Sequence, residues 1–121
     1  MTQNLSYHGS CHCGGVAFTI QSPRITDALR CNCSICRRRN ALMSKAYYPP
    51  PCFQLHQGRD QLQLYQWGDG DVNHYFCKRC GIYPFHEATQ KPGLMRINLG
   101  CLEGFDLETL EVTLFDGAEL L

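Results

Sequence analysis

No apolar run in this chain approaches the ~20 residues that a membrane-crossing helix needs. The opening Met1-Thr2-Gln3-Asn4-Leu5-Ser6 lacks both the basic start and the apolar stretch of an export signal. Net charge is missing too, because 11 Lys and Arg balance 11 Asp and Glu. The broad basic face of a nucleic-acid-binding protein is therefore not expected. No repeat, linker or low-complexity run divides the 121 residues, so one domain over residues 1–121 is expected. These absences together suggest a cytoplasmic protein that needs neither membrane nor nucleic acid.

Cysteine, by contrast, is abundant: there are nine. In a reducing compartment, clustered thiols signal metal ligation or thiol chemistry more often than disulfides, and an odd count suits a full disulfide framework badly. A chain of this size buries only somewhat over ~60% of its unfolded surface, so metal crosslinks would add usefully to its core.

The cysteines fall into two kinds of group. Cys77-Lys78-Arg79-Cys80-Gly81 is a knuckle, in which two intervening residues let both sulfurs reach one ion and Gly81 permits the turn that follows. Cys11-His12-Cys13-Gly14 is a tighter form of the same device. Four thiolates from Cys11, Cys13, Cys77 and Cys80 would close a tetrahedral shell, as structural zinc requires. His12 is the substitute ligand if one of the four is not used.

Cys31, Cys33 and Cys36 form the second group, with spacings of one residue and then two. Three protein ligands would leave the fourth tetrahedral position of a zinc open, the arrangement of a catalytic site. Such a zinc would favour the thiolate of an incoming thiol and could polarise a carbonyl oxygen. Three other readings stay open: closure by Cys52, Cys101 or a histidine; a metal-free redox cluster; and Cys52 and Cys101 simply as small buried hydrophobes. Arg37, Arg38 and Arg39 follow the triple directly and are candidate carboxylate clamps, because guanidinium pairs with carboxylate in a bidentate way. Asn32 and Ser34 are candidate hydrogen-bond donors to the ligand sulfurs.

Elsewhere the chain reads as short strands punctuated by turns, which indicates an all-β domain. Strands are expected at 16–20, 25–29, 45–48, 53–56, 62–67, 73–76, 82–86, 94–99 and 110–115. A short helical turn should follow Cys36 through the arginines. The prolines at 49–51 should form a rigid bend, and Gly68, Asp69 and Gly70 should turn a hairpin within 67–72.

Four segments occur in order: Gly9-Ser10-Cys11-His12-Cys13-Gly14, Cys31-Asn32-Cys33-Ser34-Ile35-Cys36-Arg37, Phe76-Cys77-Lys78-Arg79-Cys80-Gly81 and Asn98-Leu99-Gly100-Cys101-Leu102. This pattern resembles the glutathione-dependent formaldehyde-activating enzyme and centromere protein V family, over residues 6–116. The resemblance implies a small zinc-pinned β-tent of short antiparallel strands. It implies structural zinc ligands at Cys11, Cys13, Cys77 and Cys80, and catalytic zinc ligands at Cys31, Cys33 and Cys36. It also implies a carbon–sulfur lyase that joins formaldehyde to glutathione as S-hydroxymethylglutathione. On this reading the partners are a small thiol and a small aldehyde. Glutathione's carboxylates dock on the side of Arg37, Arg38 and Arg39, and His74, His86 and Glu87 are candidate proton carriers. The rival expectation is a non-catalytic zinc-stabilised module that binds a protein partner through Tyr47, Tyr48, Tyr65 or Trp67.

Overall fold

The structure is a computed structural model that describes residues 4–68 and 70–120. Its strands in chain order are β1 (Leu5–Ser10), β2 (Ala17–Ser22), β3 (Asp27–Cys31), β4 (Phe53–Gln57), β5 (Leu62–Tyr65), β6 (Val72–Cys77), β7 (Phe85–Ala88), β8 (Met95–Ile97) and β9 (Glu111–Phe115). The helices are α1 (Ser34–Arg39), between β3 and β4, and the terminal α2 (Gly117–Leu120). The protein is all-β, with helices confined to single turns or little more. Among the described residues no helix is long and apolar enough to cross a membrane.

Three sheets share one core. The first has the order β1-β2-β4, the second pairs β3 with β9, and the third has the order β5-β6-β7-β8. As the central strand of its sheet, β2 buries Phe18, Thr19 and Ile20 in succession. Its two buried hydroxyls are both satisfied: Thr19 Oγ1 lies 3.0 Å from His8 Nδ1 and 2.6 Å from His56 Nε2, and Ser22 Oγ donates to Pro23 carbonyl at 2.7 Å. Phe18, Phe53 and Phe85 join the first sheet to the third, with ring centroids 5.2–5.7 Å apart in stacked and edge-on contacts. Val16, Ile20, Ile97 and Leu99 complete this centre and are fully buried.

Several local expectations shift. The β3–β9 ladder is parallel, pairing Asp27 with Glu111 through to Cys31 with Phe115, whereas the other ladders between strands are antiparallel. Residues 45–48 are not a strand, because the prolines that follow leave only an isolated bridge from Tyr48 to Met95. The strand expected at 82–86 begins at Phe85, after Pro84 has removed a ladder donor. The prolines at 49–51 lead into one 3₁₀ turn, Pro50–Cys52. The legs of the expected hairpin pair from Leu62↔Cys77 to Tyr65↔His74. Asp69, within its turn, lies outside the described residues, as do Met1, Thr2 and Gln3.

Candidate metal centres and the adjoining cavity

Each cysteine knuckle is shaped by its own backbone. Gly14 N–H donates to Cys11 carbonyl at 3.1 Å, and Gly81 N–H donates to Cys77 carbonyl at 2.8 Å. Both glycines have φ near +80° (79° and 78°), a conformation that costs a side-chain-bearing residue energy. The two knuckles meet although one starts the chain and the other ends β6. The sulfurs of Cys11, Cys13, Cys77 and Cys80 all lie within 4.8 Å of one another. The Cys11–Cys13 and Cys13–Cys77 separations are 3.6 and 3.7 Å. Tetrahedral zinc with ~2.3 Å bonds to sulfur would set its ligands about 3.8 Å apart, so the donor set fits that ion. His12 is exposed and stands outside the group.

Backbone amides already face these sulfurs, with Val16 N–H donating to Cys11 Sγ at 3.3 Å and Gly15 N–H to Cys13 Sγ at 3.5 Å. Burial opposes the Cys80 thiolate, but hydrogen bonds from the backbone of Cys13 and Ile82 outweigh it and bring Cys80 down to about 6. Cys13 goes the other way, to about 11, with burial and its neighbouring thiols outweighing the Gly15 amide. Four such thiols ionise together only if a cation compensates them.

The second cluster is built by β3 and α1. Cys31 ends β3, Cys33 caps α1 and Cys36 lies within that helix. Their three sulfurs also lie within 4.8 Å of one another. Burial opposes the Cys33 thiolate but is outweighed by hydrogen bonds from the backbone and side chain of Cys36, which lower it. Cys36 is pushed up to about 12 by burial, although the Arg39 charge acts in the opposite direction. The donors to these sulfurs differ from those expected. Cys33 N–H reaches Cys31 Sγ at 3.4 Å, and Arg39 Nη2 reaches Cys36 Sγ at 3.2 Å. Asn32 instead ties the cluster to the chain's end, donating to Asp116 Oδ1 at 3.0 Å and accepting from Ala118 N–H at 2.9 Å. Ser34 is exposed.

A cavity of about 300 Å³ opens on the triple. Its wall includes Cys31, Cys33, Cys36, Arg39, His74 and His86, together with Arg96 from β8 and the rings of Tyr47 and Trp67. No member of the four-sulfur group lines it, and among the described residues no Asp or Glu does. The arginine run is divided by the helix. Arg39 faces the cavity, while Arg37 and Arg38 are exposed and outside its wall, Arg38 donating to Ser34 carbonyl at 2.8 Å. Both terminal nitrogens of Arg39 are engaged, Nη2 with Cys36 and Nη1 with His74 Nδ1 at 3.1 Å, and its guanidinium stacks 3.8 Å over Tyr83. A free bidentate clamp is thus not available at Arg39.

His74 and His86 face each other across the β6–β7 ladder. Both are buried. Burial, with Arg39 adding to it, lowers His74 to about 4, and burial with the Arg96, His74 and Arg39 charges lowers His86 to about 3. Glu87 does not join them. It accepts from Tyr75, Asn73 and Gly93 instead, beside a different pocket. Cys101 is buried in the core and Cys52 packs at its edge, neither within a metal-sized group.

Three similarities bear on this arrangement. Residues 6–114 match the family described as glutathione-dependent formaldehyde-activating enzyme. The chain belongs to that family. A crystal structure of a Rhodobacter sphaeroides protein is 34% identical and superposes with a TM-score of 0.76, covering 89% of this chain and 99% of that one. A Halomonas elongata protein, provisionally named a glutathione-dependent formaldehyde-activating enzyme, is 57% identical over 30 residues. That stretch is 25% of this chain and 19% of the Halomonas protein's length.

Within this family member, the wall residues Arg96 and Met43, and Tyr83 packed behind the wall against Arg39, His74 and His86, carried almost no sequence signal. They come from β8, from an isolated bridge and from the turn before β7, and only the pairing of those elements brings them near α1. Tyr83 lies three residues beyond Cys80, and that proximity to a knuckle was the single available clue.

Proposed function

We propose that this protein is a zinc-dependent carbon–sulfur lyase-type enzyme that adds a small aldehyde, formaldehyde first, to a thiol such as glutathione. Residues 1–121 act as one zinc-stapled domain, with Cys11, Cys13, Cys77 and Cys80 holding a structural zinc. Cys31, Cys33 and Cys36 hold the second. What supports the reading is one asymmetry: the three-sulfur group opens on a 300 Å³ cavity whose wall contains no residue of the four-sulfur group. Family membership independently supports the same substrate pair. All nine cysteines are free thiols, which suits a reducing compartment such as the cytoplasm.

A zinc at Cys31, Cys33 and Cys36 would supply a Lewis acid that favours thiolate over thiol at neutral pH. The chain's own residues do the rest. Arg39 offsets charge at Cys36 and fixes the imidazole of His74. Arg96 stacks on Tyr47 at 4.1 Å with one terminal nitrogen on Lys45 carbonyl, and it receives a carboxylate of the thiol substrate. Leu29, Ile35, Met43 and Phe115 give the cavity dry walls, which strengthen these polar contacts. Positioning the two reactants supplies most of the acceleration, since thiols add to formaldehyde without help.

Exchange NMR on formaldehyde plus glutathione tests the proposal. Zinc-loaded protein should accelerate exchange over a variant with Cys31, Cys33 and Cys36 replaced by Ser. Equal rates would reject the enzyme reading.

The exposed Val112 and Leu114 on β9 favour the second reading, a module that binds a protein partner. Of the aromatics expected to form its patch, Tyr48 is buried, Tyr65 is exposed, and Tyr47 and Trp67 are exposed while also lining the cavity. One tightly held zinc per chain with no labile second ion would favour the module.

A further inference from the structure

The β3–β9 ladder fixes which backbone groups of β9 are occupied and which are free. Glu111 N–H donates to Thr26 carbonyl at 3.0 Å, and Phe115 carbonyl accepts from Asn32 N–H at 3.3 Å. Alternate residues of a strand serve a given neighbour. With the register running from Asp27↔Glu111 to Cys31↔Phe115, it is Glu111, Thr113 and Phe115 that serve β3. The N–H and C=O groups of Val112 and Leu114 therefore point away from it. Among the described residues nothing pairs with that side, because β9 ends its sheet. The far side of β3 is closed instead, with Leu29 and Met43 exchanging N–H to carbonyl bonds of 2.7 and 2.9 Å.

Among the described strands β9 alone is exposed at every residue, and Leu114 is 59% exposed. Proteins usually blunt an open edge with Lys, Pro, a bulge or a covering segment. The outer edges of β1 and β8 are met by bridges from Leu102 and Tyr48, whereas Val112, Thr113 and Leu114 have none of these protections. What this edge matches is itself. Two β9 strands laid antiparallel about a two-fold axis through Thr113 set Val112 opposite the partner's Leu114. Both members of each such pair have outward N–H and C=O groups, as a hydrogen-bonded antiparallel pair requires. Thr113 then meets the partner's Thr113, and Glu111 meets the partner's Phe115, so apolar side chains face each other and no like charges are opposed. A slip of one residue would set groups already bonded to β3 against free ones.

We propose that β9 pairs antiparallel with β9 of a second copy of this chain, joining two β3–β9 ladders into one four-stranded sheet. The contact is two-fold and self-complementary, and it is strand addition at an open edge. Val112 and Leu114 of both copies lie on one face of the joined sheet, since alternate residues share a face. Phe115 lines the cavity beside the three cysteines, so the contact borders that cavity in both copies. A second copy covers Val112 and Leu114 without requiring a foreign partner. The contact is small and belongs with transient interfaces, so association depends on concentration. The pairing does not rest on the aldehyde–thiol reading, and its tests do not involve turnover.

Sedimentation equilibrium and residue-resolved amide exchange on zinc-loaded protein test it. Between about 50 µM and about 1 mM, the range of a small, weak contact, the mass should rise toward twice that of one chain. Over the same range the Val112 and Leu114 amides should slow by about threefold or more, while Thr113 and Phe115, already bonded to β3, should change least. Val112→Pro removes an N–H that no described residue uses and should hold the mass at one chain, with circular dichroism and zinc content unchanged. Leu114→Lys, at the most exposed of these positions, should do the same. Combining Val112→Glu with Leu114→Lys should restore association, because the register sets positions 112 and 114 opposite each other across the axis. A one-chain mass throughout, a doubled mass with fast-exchanging Val112 and Leu114 amides, or association that survives Val112→Pro and Leu114→Lys would each overturn the proposal. Failure of the double variant to associate would overturn the Val112–Leu114 register.

Discussion

Cys13 and Cys77 stand 64 residues apart in the chain and 3.7 Å apart at sulfur. That contact fastens the start of the chain to the end of β6, and therefore ties the first sheet to the third. Structural zinc in small finger domains carries ~10–16 kcal/mol of apparent binding energy, whereas the net stability of a whole domain is ~5–15 kcal/mol. Excess chelator should consequently unfold the protein instead of loosening it. Circular dichroism with a zinc-indicator dye should show two zinc ions per chain, the first released with the fold intact and the second only with unfolding. Loss of both ions with an unchanged spectrum would remove the structural role from the four-sulfur group.

The arginines offer a sharper division. Arg37 and Arg38 are exposed and outside the cavity wall, while Arg96 lies within it. A charged hydrogen bond is worth ~1.5–3 kcal/mol, so Arg96→Ala should raise the thiol KM by about tenfold or more. Arg37→Ala and Arg38→Ala should change it by less than about twofold, in keeping with the small value of exposed charges. Initial-rate kinetics with glutathione check both halves, and a reversed ranking would return the clamp to the exposed face of α1.

How far the sequence announced this site depends on the kind of signal. Cys31, Cys33 and Cys36 are local, and spacing alone brings their sulfurs together. The two knuckles were legible as knuckles, but their meeting was an inference from ligand count. The expected strands over 16–20, 53–56, 73–76 and 110–115 overlap β2, β4, β6 and β9 because their apolar residues alternate or cluster. By contrast β1, Leu5-Ser6-Tyr7-His8-Gly9-Ser10, has too little apolar character to signal a strand, and it forms because β2 offers it a full antiparallel register. The parallel partnership of β3 and β9 could not be read either, since nothing in either segment names the other. Arg96 belongs to the same class: pairing of His86 with Arg96 across β7 and β8 puts it in the wall.

Cys52 and Cys101 provide a check on the thiol count. Cys101 is buried, its thiol pushed up to about 12 by burial and by the Cys11 and Cys80 charges, and it lies 3.9 Å from Tyr83 carbonyl. It behaves as a small core hydrophobe. Cys101→Ala should retain the full zinc content and lose ~0.5–3 kcal/mol of stability by denaturant titration, the range of an ordinary core truncation. Cys52→Ala, partly exposed, should retain the zinc with a smaller loss. A missing zinc in either variant would make that cysteine a ligand and close the site now read as open.

Acid should act on the cavity before it acts on the sheets around it. His74 and His86 are held at about 4 and about 3, principally by burial, against ~6.5 for an unfolded histidine. Between those values the unfolded chain binds protons that the folded one refuses, so stability rises with pH across this window. The contribution is fully present above ~6.5 and declines as pH falls toward 4 for His74 and toward 3 for His86. Metal release also begins in acid, because thiolates must be deprotonated to bind, so zinc content has to be measured at each pH. With zinc retained, the ring resonances of both histidines should stay at their neutral positions down to about pH 5. Protonation of either ring near pH 6.5 would mean that solvent reaches it freely. The dry, neutral wall described for this cavity would then not exist.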